Sequence, residues 1–581
     1  MAVNKISLIV GGEAGAGITR SGFLFAKACL RGGLHVFGTN DYQSLIRGGH
    51  NFYAVRAEAE EIYSQEDTIA LLLALSQETV LLHRDKLVSG GAILYDGEEI
   101  TIMDEELDRN DVKLYSVPLG RIVKDLKGEL IMKNTVALGS VVALLNYDLE
   151  ILNEVIRDSF KPDVAELNVR AAKAGYDYAQ KRFAGDFKHK LHKTTSAMTK
   201  KLFVTGAEAV GLGAIKAGCK FYAAYPMTPA TPLLHFLAPL DREFRMIVVQ
   251  AESEIAAINM VVGASFAGAR AMTATSGGGF CLMSEGFGMA GMTETPIVIM
   301  LAQRPGPSTG LPTYSGQGDL NFAIHASQGE FPRVIIAPGD AEECFYKTME
   351  AFNIAEKYQT PVILITDKYL TESHWTSELF KQKQIGIDRG PIFMEDEYTD
   401  DEEYKRHKFT KNGISPRAAP GMKKAIVRTN ADEHDESGYT TEDPELTTAM
   451  NDKRFRKFDA LLENLERYDT IRLYGPPDAE LTIIGWGSTK GPIREAMKLL
   501  TNDGLQVNYI QIIYLSPFPS AALQKTMESA GRTIVVENNK TSQLSRLMKE
   551  NLLTRPDHTV LKYDGRPFNP RELAHRIKEL L

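Results

Sequence analysis

The chain has 581 residues, of which 44% are hydrophobic and 24% charged, and it carries a formal net charge of -9 at pH 7. At roughly 150 residues per domain this length predicts three or four α/β-sized domains, and the acidic balance argues against nucleic acid or an anionic membrane as the main partner. No apolar run approaches the ~18 residues needed to span a bilayer, and the opening "MAVNKISLIVGGEAGAG" lacks a cleavable-signal pattern, which leads to the expectation of a soluble, cytoplasmic protein.

In chain order, "KISLIV", the turn "GGEAGAG", the helical "ITRSGFLFAKACLRGG" and "LHVFGTN" form the strand–turn–helix–strand pattern of an open α/β sheet. This predicts a first domain over residues 1–185. The turn Gly11–Gly17 resembles a phosphate-cradling loop at a helix N-terminus, with Gly12, Gly15 and Gly17 as candidate ligand-facing positions. Its spacing departs from G-x-G-x-x-G because Arg20 stands where the third glycine would fall, so a plain tight turn is the competing reading. Downstream, "LIRGGH" pairs the fixed charge of Arg47 with two glycines that let a ligand approach the backbone. The basic stretch "FAGDFKHKLHKTTSAMTKK" reads as a linker, with His189 and His192 on a solvated face.

The α/β pattern restarts at Lys201 and predicts a second domain over 200–380. "KLFVTG", "KFYAAY", "MIVVQ", "ARAMTATS", "TPIVIMLAQR", "RVIIAP" and "PVILITD" read as short, buried parallel strands. Four of this domain's turns carry polar groups directly after strands. "YPMTPATP" holds Thr228 among prolines that fix φ. "QAESE" puts Glu252 and Glu254 where a strand becomes a helix, where acids favour the macrodipole by ~0.3–1 kcal/mol each. "TSGGGF" opens a helix with Gly277 and Gly278. "LAQRPGPSTGLPT" presents Arg304, Ser308, Thr309 and Thr313 on a stiff loop. In an open α/β sheet this edge is where ligands bind, and an Arg with preorganised hydroxyls suits a small carboxylate.

Residues 381–458 change character. "EDEYTDDEEYKRH", "GISPRAAPG" and "EHDESGYTTEDPE" read as a polar, partly irregular connector, exposed to solvent. A last α/β unit, 459–581, is built on "AELTIIGWGSTKG", "LQVNYIQIIYL" and "RTIVVENN". The cysteines Cys29, Cys219, Cys281 and Cys344 lie far apart with no CxxC, which excludes a self-contained iron–sulfur or zinc site, and no HExxH is present.

Taken together, "GGEAGAGITRSG", "SLIRGGH", "YPMTPATP", "QAESEIAAINMVVGASFAGARAMTATSGGG", "AQRPGPSTGLPT", "GISPRAAPG…EHDESG" and "IGWGSTKGPIREA…ENN" resemble the 2-oxoacid:ferredoxin oxidoreductases, specifically an alpha subunit with a gamma domain fused in front. The resemblance implies three α/β domains with mostly parallel sheets: the gamma domain, a thiamine pyrimidine-binding domain and a transketolase C-terminal-like domain. It implies thiamine diphosphate shared with a beta subunit, coenzyme A as co-substrate and ferredoxin as electron acceptor. Glu254 takes the family's role of hydrogen-bonding the aminopyrimidine, Thr228 and Arg304 those of carboxylate ligands, and Thr313 resembles a further substrate-side hydroxyl. Met227 stands where Ile is common, a volume-conserving change. No GDG precedes an Asn pair, and no cysteine cluster could hold [4Fe–4S]. Both Mg2+ and the cluster are therefore expected on the beta subunit of an α2β2 assembly. A distinct reading, resting on the glycine turns alone, is a CoA- or nucleotide-binding ligase-like protein, and a third is a non-catalytic assembly subunit. Within the family, 2-oxoglutarate is the expected substrate, with pyruvate or a broad range of 2-oxoacids as the alternative.

Overall fold

The computed structural model describes residues 2–45, 48–103, 107, 109–194, 201–381, 385–394, 396 and 403–581. They fall into two compact units, 1–204 with 373–379 and 205–372 with 380–581.

The first unit is built on an eight-stranded sheet in the order Lys113–Ser116, Leu87–Tyr95, Ile69–Ala74, Lys5–Glu13, His50–Glu58, His35–Asp41, His374–Ser377, Leu202–Thr205. The strand–helix–strand expectation holds: the helix Ile18–Arg31 carries the chain from Lys5–Glu13 to His35–Asp41. These two strands are not neighbours, however. His50–Glu58 lies between them and is antiparallel to both. A short loop after Asp41 can return the chain only in the antiparallel sense, whereas a parallel neighbour needs a crossover of a dozen residues or more. Toward Lys113–Ser116 the pairing becomes parallel throughout. The helices Lys133–Leu144 and Pro162–Phe183 cross closely because glycines leave room. A Cβ on Gly139 would sit 1.9 Å from the carbonyl oxygen of Ala172, and one on Gly175 would sit 2.0 Å from that of Val136.

The second unit contains two sheets. The seven-stranded one runs Ile247–Gln250, Phe221–Ala224, Ala271–Thr275, Val298–Gln303, Val362–Asp367, Val334–Ile336, Tyr514–Ser516, parallel except for the last strand. The five-stranded one runs Ile471–Tyr474, Val507–Ile512, Leu481–Trp486, Arg532–Glu537, His558–Leu561, with only its first strand antiparallel. Val298–Gln303 and Val362–Asp367 are buried at every position, as expected of parallel strands covered on both faces. "LQVNYIQIIYL", a single apolar run in sequence, is divided: Val507–Ile512 stays in the smaller sheet and Tyr514–Ser516 adds to the edge of the larger one. One core joins the two sheets, with Ile299, Ile335, Trp486 and Ile510 in the same cluster.

The connector is irregular over much of its length, but the expectation that it is exposed to solvent is overturned. Arg406, His407, Ser415, Arg417 and His434 are all buried. Glu356, 2% exposed, receives Arg270 at 2.9 Å, Arg389 at 2.8 Å and Arg417 at 2.6 Å. Glu294, fully buried, receives Lys453 at 2.5 Å, Lys457 at 2.6 Å and His407 at 3.0 Å. Charges leave water only when paired, and here the partners lie 33 to 163 residues apart in the chain, beyond what local composition reveals. Among the described residues no helix is long and apolar enough to cross a membrane, and no group of three or more His, Cys, Asp or Glu could hold a metal ion.

Candidate active site

Four neighbouring parallel strands, Ile247–Gln250, Phe221–Ala224, Ala271–Thr275 and Val298–Gln303, bring their C-terminal ends into one row. Each is followed by one of the polar turns singled out in the sequence.

After Phe221–Ala224, the backbone N–H groups of Ala230 and Thr231 both donate to the Met227 carbonyl, at 2.8 and 3.2 Å, closing the proline turn around a cis Thr228–Pro229 bond. Thr228 is half-buried, and its carbonyl accepts from Arg304 Nη1 at 2.7 Å. Arg304 is thus tied to the turn that presents the threonine. After Ile247–Gln250, the Ser253 hydroxyl caps the helix Glu254–Phe266 by accepting from Ala256 N at 3.2 Å. Glu254 opens this helix and is 3% exposed, with no hydrogen-bond partner for Oε1. Glu252 precedes the cap and is exposed. Room for Glu254 comes from Gly279, where a Cβ would lie 2.7 Å from Glu254 Oε1 and 2.0 Å from Thr275 Oγ1.

After Ala271–Thr275, Ser276 leads into the 16-residue helix Gly277–Met292. Gly278 faces open space, its nearest neighbour for a Cβ being the Ser308 carbonyl at 3.9 Å. A Cβ on Gly277 would meet Asp319 Oδ2 at 2.5 Å. After Val298–Gln303, the loop bearing Arg304 turns sharply. Ser308 has φ 56°, and Gly310 has φ 54° with a Cβ position only 1.8 Å from the Pro305 carbonyl oxygen, so a side chain cannot stand there. Thr313 is 4% exposed and its hydroxyl has no partner. Gln317 fastens the loop's far end, donating from Nε2 to the Trp486 carbonyl at 2.9 Å and accepting from Asn538 N at 2.9 Å.

Asp319 was not singled out in the sequence. Its N–H donates to Gln303 Oε1 at 3.0 Å, and its Oδ2 has no partner. Burial pushes its carboxyl up to about 6, with Arg304 opposing, while burial lowers the Arg304 guanidinium, with Asp319 opposing. An acid directly before the apolar "LNFAIH" is a helix-start signal, and reading it so would have drawn attention to the position. Glu254 Oε1, Ser276 Oγ, Arg304 Nε, Thr313 Oγ1 and Asp319 Oδ2 are all buried without partners on these turns. Each such atom ordinarily costs about 1–3 kcal/mol, and such atoms are rare unless something else satisfies them.

The remaining candidates belong to the first unit. Gly12 lies within the strand Lys5–Glu13, paired with Asn51, rather than in the turn. Gly15 has φ 86° with open space around it, and Gly17, φ 76°, is the N-cap of Ile18–Arg31. Two cavities lie at this turn, the first lined by Ala16 and the second by Gly17. One of about 340 Å³ carries Glu13, Asp96, Glu99 and Lys133, and a more apolar one of about 470 Å³ includes Arg20, Leu24, Phe160 and Leu167. Arg47 lies outside the described residues.

Residues 212–452 match the family described as pyruvate flavodoxin/ferredoxin oxidoreductase, thiamine diphosphate-binding; residues 7–178 match pyruvate ferredoxin/flavodoxin oxidoreductase, and 479–573 match pyruvate:ferredoxin oxidoreductase core domain II. The 2-oxoacid:ferredoxin oxidoreductase subunit alpha of a Sulfolobus species is 34% identical, over 99% of this chain and 97% of that one. The 2-oxoglutarate synthase subunit KorA of Methanothermobacter thermautotrophicus is 33% identical over 66% of this chain and its own full length. Among solved structures, the 2-oxoglutarate:ferredoxin oxidoreductase of Magnetococcus marinus, with 2-oxoglutarate, coenzyme A and succinyl-CoA bound, superposes with a TM-score of 0.91 at 35% identity, over 99% of both chains. With relatives at this identity along its whole length, the chain belongs to the 2-oxoacid:ferredoxin oxidoreductase family, as an alpha subunit.

Proposed function

We propose that 2-oxoglutarate is the preferred 2-oxoacid of this enzyme, and that the row of strand ends in the second unit forms this subunit's half of the active site. The observation that carries the reading is the tie between Arg304 and the Thr228 turn, beside buried polar atoms with nothing to bind. A guanidinium held at one nitrogen, with Nε unspent, is suited to a carboxylate. The Thr228 and Thr313 hydroxyls complete the donor set. Support for 2-oxoglutarate comes from the substrate bound to the Magnetococcus marinus relative and from the name of the Methanothermobacter one.

The residues fit thiamine diphosphate. Glu254 offers an orphaned buried acceptor, Gly279 clears the space beside it, and Gly277 and Gly278 open a helix whose first turn is left open at Gly278. When bound, the cofactor supplies the electron sink that a departing carboxylate requires. Glu254 is the group that holds a proton toward it, and Arg304 with Thr228 orients the 2-oxoacid. In this reading Mg2+ and a [4Fe–4S] cluster reside on a beta subunit, the assembly is α2β2, and ferredoxin takes the electrons. Coenzyme A is served from the first unit through Gly15, Gly17 and Arg47.

The test is reconstitution. This chain alone should neither reduce viologen dye with any 2-oxoacid nor retain magnesium–thiamine diphosphate, and adding the beta subunit should restore both. Across a panel of 2-oxoacids the pair should show its highest kcat/KM with 2-oxoglutarate. Robust dye reduction by the isolated chain would refute the divided site, and a preference for pyruvate would refute the substrate.

A further inference from the structure

We propose that Asp319, the buried acid facing Arg304 through space, surrenders its charge when a 2-oxoacid carboxylate docks on Arg304, so that substrate binds together with one proton. This rests on the reading of Arg304 as the carboxylate's ligand.

The geometry makes Asp319 part of the cluster without giving it a task in the unliganded arrangement. Its backbone is fixed from both sides. Gln303 Oε1 accepts its N–H at 3.0 Å, while Gln543 donates to the Gly318 carbonyl at 2.7 Å and accepts from Asn321 N at 2.9 Å. Gln303 is itself held by the Thr366 carbonyl at 3.0 Å. The carboxylate so positioned fills the space over Gly277, where a Cβ would come within 2.5 Å of Oδ2 and 3.2 Å of Oδ1. Oδ2 is buried and accepts nothing. Arg304 spends its hydrogen bond on a neutral acceptor, the Thr228 carbonyl, and feels Asp319 through space.

The balance of charge in the cluster decides where the proton goes. Without substrate Arg304 and Asp319 face each other as one cation and one acid. An arriving carboxylate makes two anions for one guanidinium in a partly desolvated space, and a like charge close by disfavours ionisation of the second acid. Arg304 is the cation facing Asp319, from the loop after Val298–Gln303, and Cys281 is the titratable group facing it from the helix Gly277–Met292, with its thiol raised by burial and by Asp319. Gln303 and Gln543, which hold Asp319 and its neighbours, are neutral. Asp319 already sits close to neutrality, pushed up to about 6 by burial, so the second anion has only a small gap to close.

The sign is fixed by which form the substrate prefers. Below about pH 6 Asp319 is protonated before substrate arrives and affinity is constant. Above it a proton must be taken up on binding, so KM should rise by about tenfold per pH unit, the slope of one linked proton. The experiment measures KM for 2-oxoglutarate from pH 6 to 8 in the reconstituted complex, for wild type, Asp319→Asn and Arg304→Lys. The expected result is a rising wild-type profile, a flat profile in Asp319→Asn, and a raised KM in Arg304→Lys. A flat wild-type profile overturns the proposal whether or not the Asn variant folds. If Arg304→Lys raises KM while Asp319→Asn keeps the wild-type slope, proton coupling through Asp319 fails alone. If Arg304→Lys leaves KM unchanged at every pH, the carboxylate reading fails and takes this proposal with it.

Discussion

Replacing Glu254 by Gln separates a catalytic carboxyl from a structural one, because the two roles differ in what the change does to stability. As the first residue of Glu254–Phe266 the carboxylate favours the helix dipole by ~0.3–1 kcal/mol. Against that, it is 3% exposed and its Oε1 has no partner, and an unsatisfied buried polar group costs about 1–3 kcal/mol. Gln keeps the shape, loses the dipole term and relieves part of the desolvation. The change in stability should therefore lie within about 1 kcal/mol of zero and lean toward stabilisation. Activity should behave otherwise. An amide cannot hold and release a proton, so exchange of the thiazolium C2 hydrogen for deuterium should slow by about 10²–10⁴, the usual span of general acid–base catalysis. The two assays are that exchange in the reconstituted complex and a denaturant midpoint on the chain alone. Wild-type exchange in Glu254→Gln, together with lost stability, would show the residue to be a helix-start acid and nothing more. Gly279→Ala should mimic the catalytic defect, since its Cβ would lie 2.7 Å from Glu254 Oε1.

Arg304→Ala should lower kcat/KM by roughly 10- to 150-fold, the equivalent of ~1.5–3 kcal/mol for a charge-assisted contact. Arg304→Lys should recover only part, because an ammonium cannot reach the Thr228 carbonyl and a carboxylate with the same planar fork; full activity in the Ala variant would remove Arg304 from the site. His83, 3% exposed and 2.9 Å from His50 Nε2, is pushed by burial from 6.5 to about 3. Its folded-state value is the lower one, so the unfolded chain takes the proton first, and stability should fall as pH drops from 6.5 toward 3, by up to about 1.4 kcal/mol per unit. In His83→Phe the decline of the denaturant midpoint between pH 7 and 5 should be shallower, and an unchanged slope would show that His83 is not its source.

Strands were legible wherever burial on both faces turned them into unbroken β-branched runs, as in "TPIVIMLAQR" and "PVILITD", which became Val298–Gln303 and Val362–Asp367. Pairing was less legible. Nothing local in "HNFYAVRAE" says that it slots between two strands joined by a helix, and nothing in "YLS" says that it leaves one sheet for another. Thr228, Arg304 and Glu254 drew attention because prolines, glycines and strand ends surround them. Asp319 did not, because its significance arises from Gly277, more than forty residues earlier, and from Arg304 on the far side of a loop. The connector misled for the same reason: "KRH" and "DKRFRK" look solvated until Glu294 is brought to them.

The carboxylates Glu294 and Glu356 bear on how this polypeptide can be shortened or recombined. Both belong to the predicted domain 200–380, yet Lys453, Lys457, His407, Arg389 and Arg417 all come from beyond it. A fragment cut at Leu370 would keep two buried acids and lose most of their cations, at a cost on the order of 3–5 kcal/mol for each broken pair. Any self-sufficient piece around Glu254 therefore runs at least through the helix Pro444–Leu462, and the core shared with Trp486 and Ile510 carries it further. Chimeras between relatives should fail at junctions between Leu370 and Leu462, however unstructured the sequence there looks.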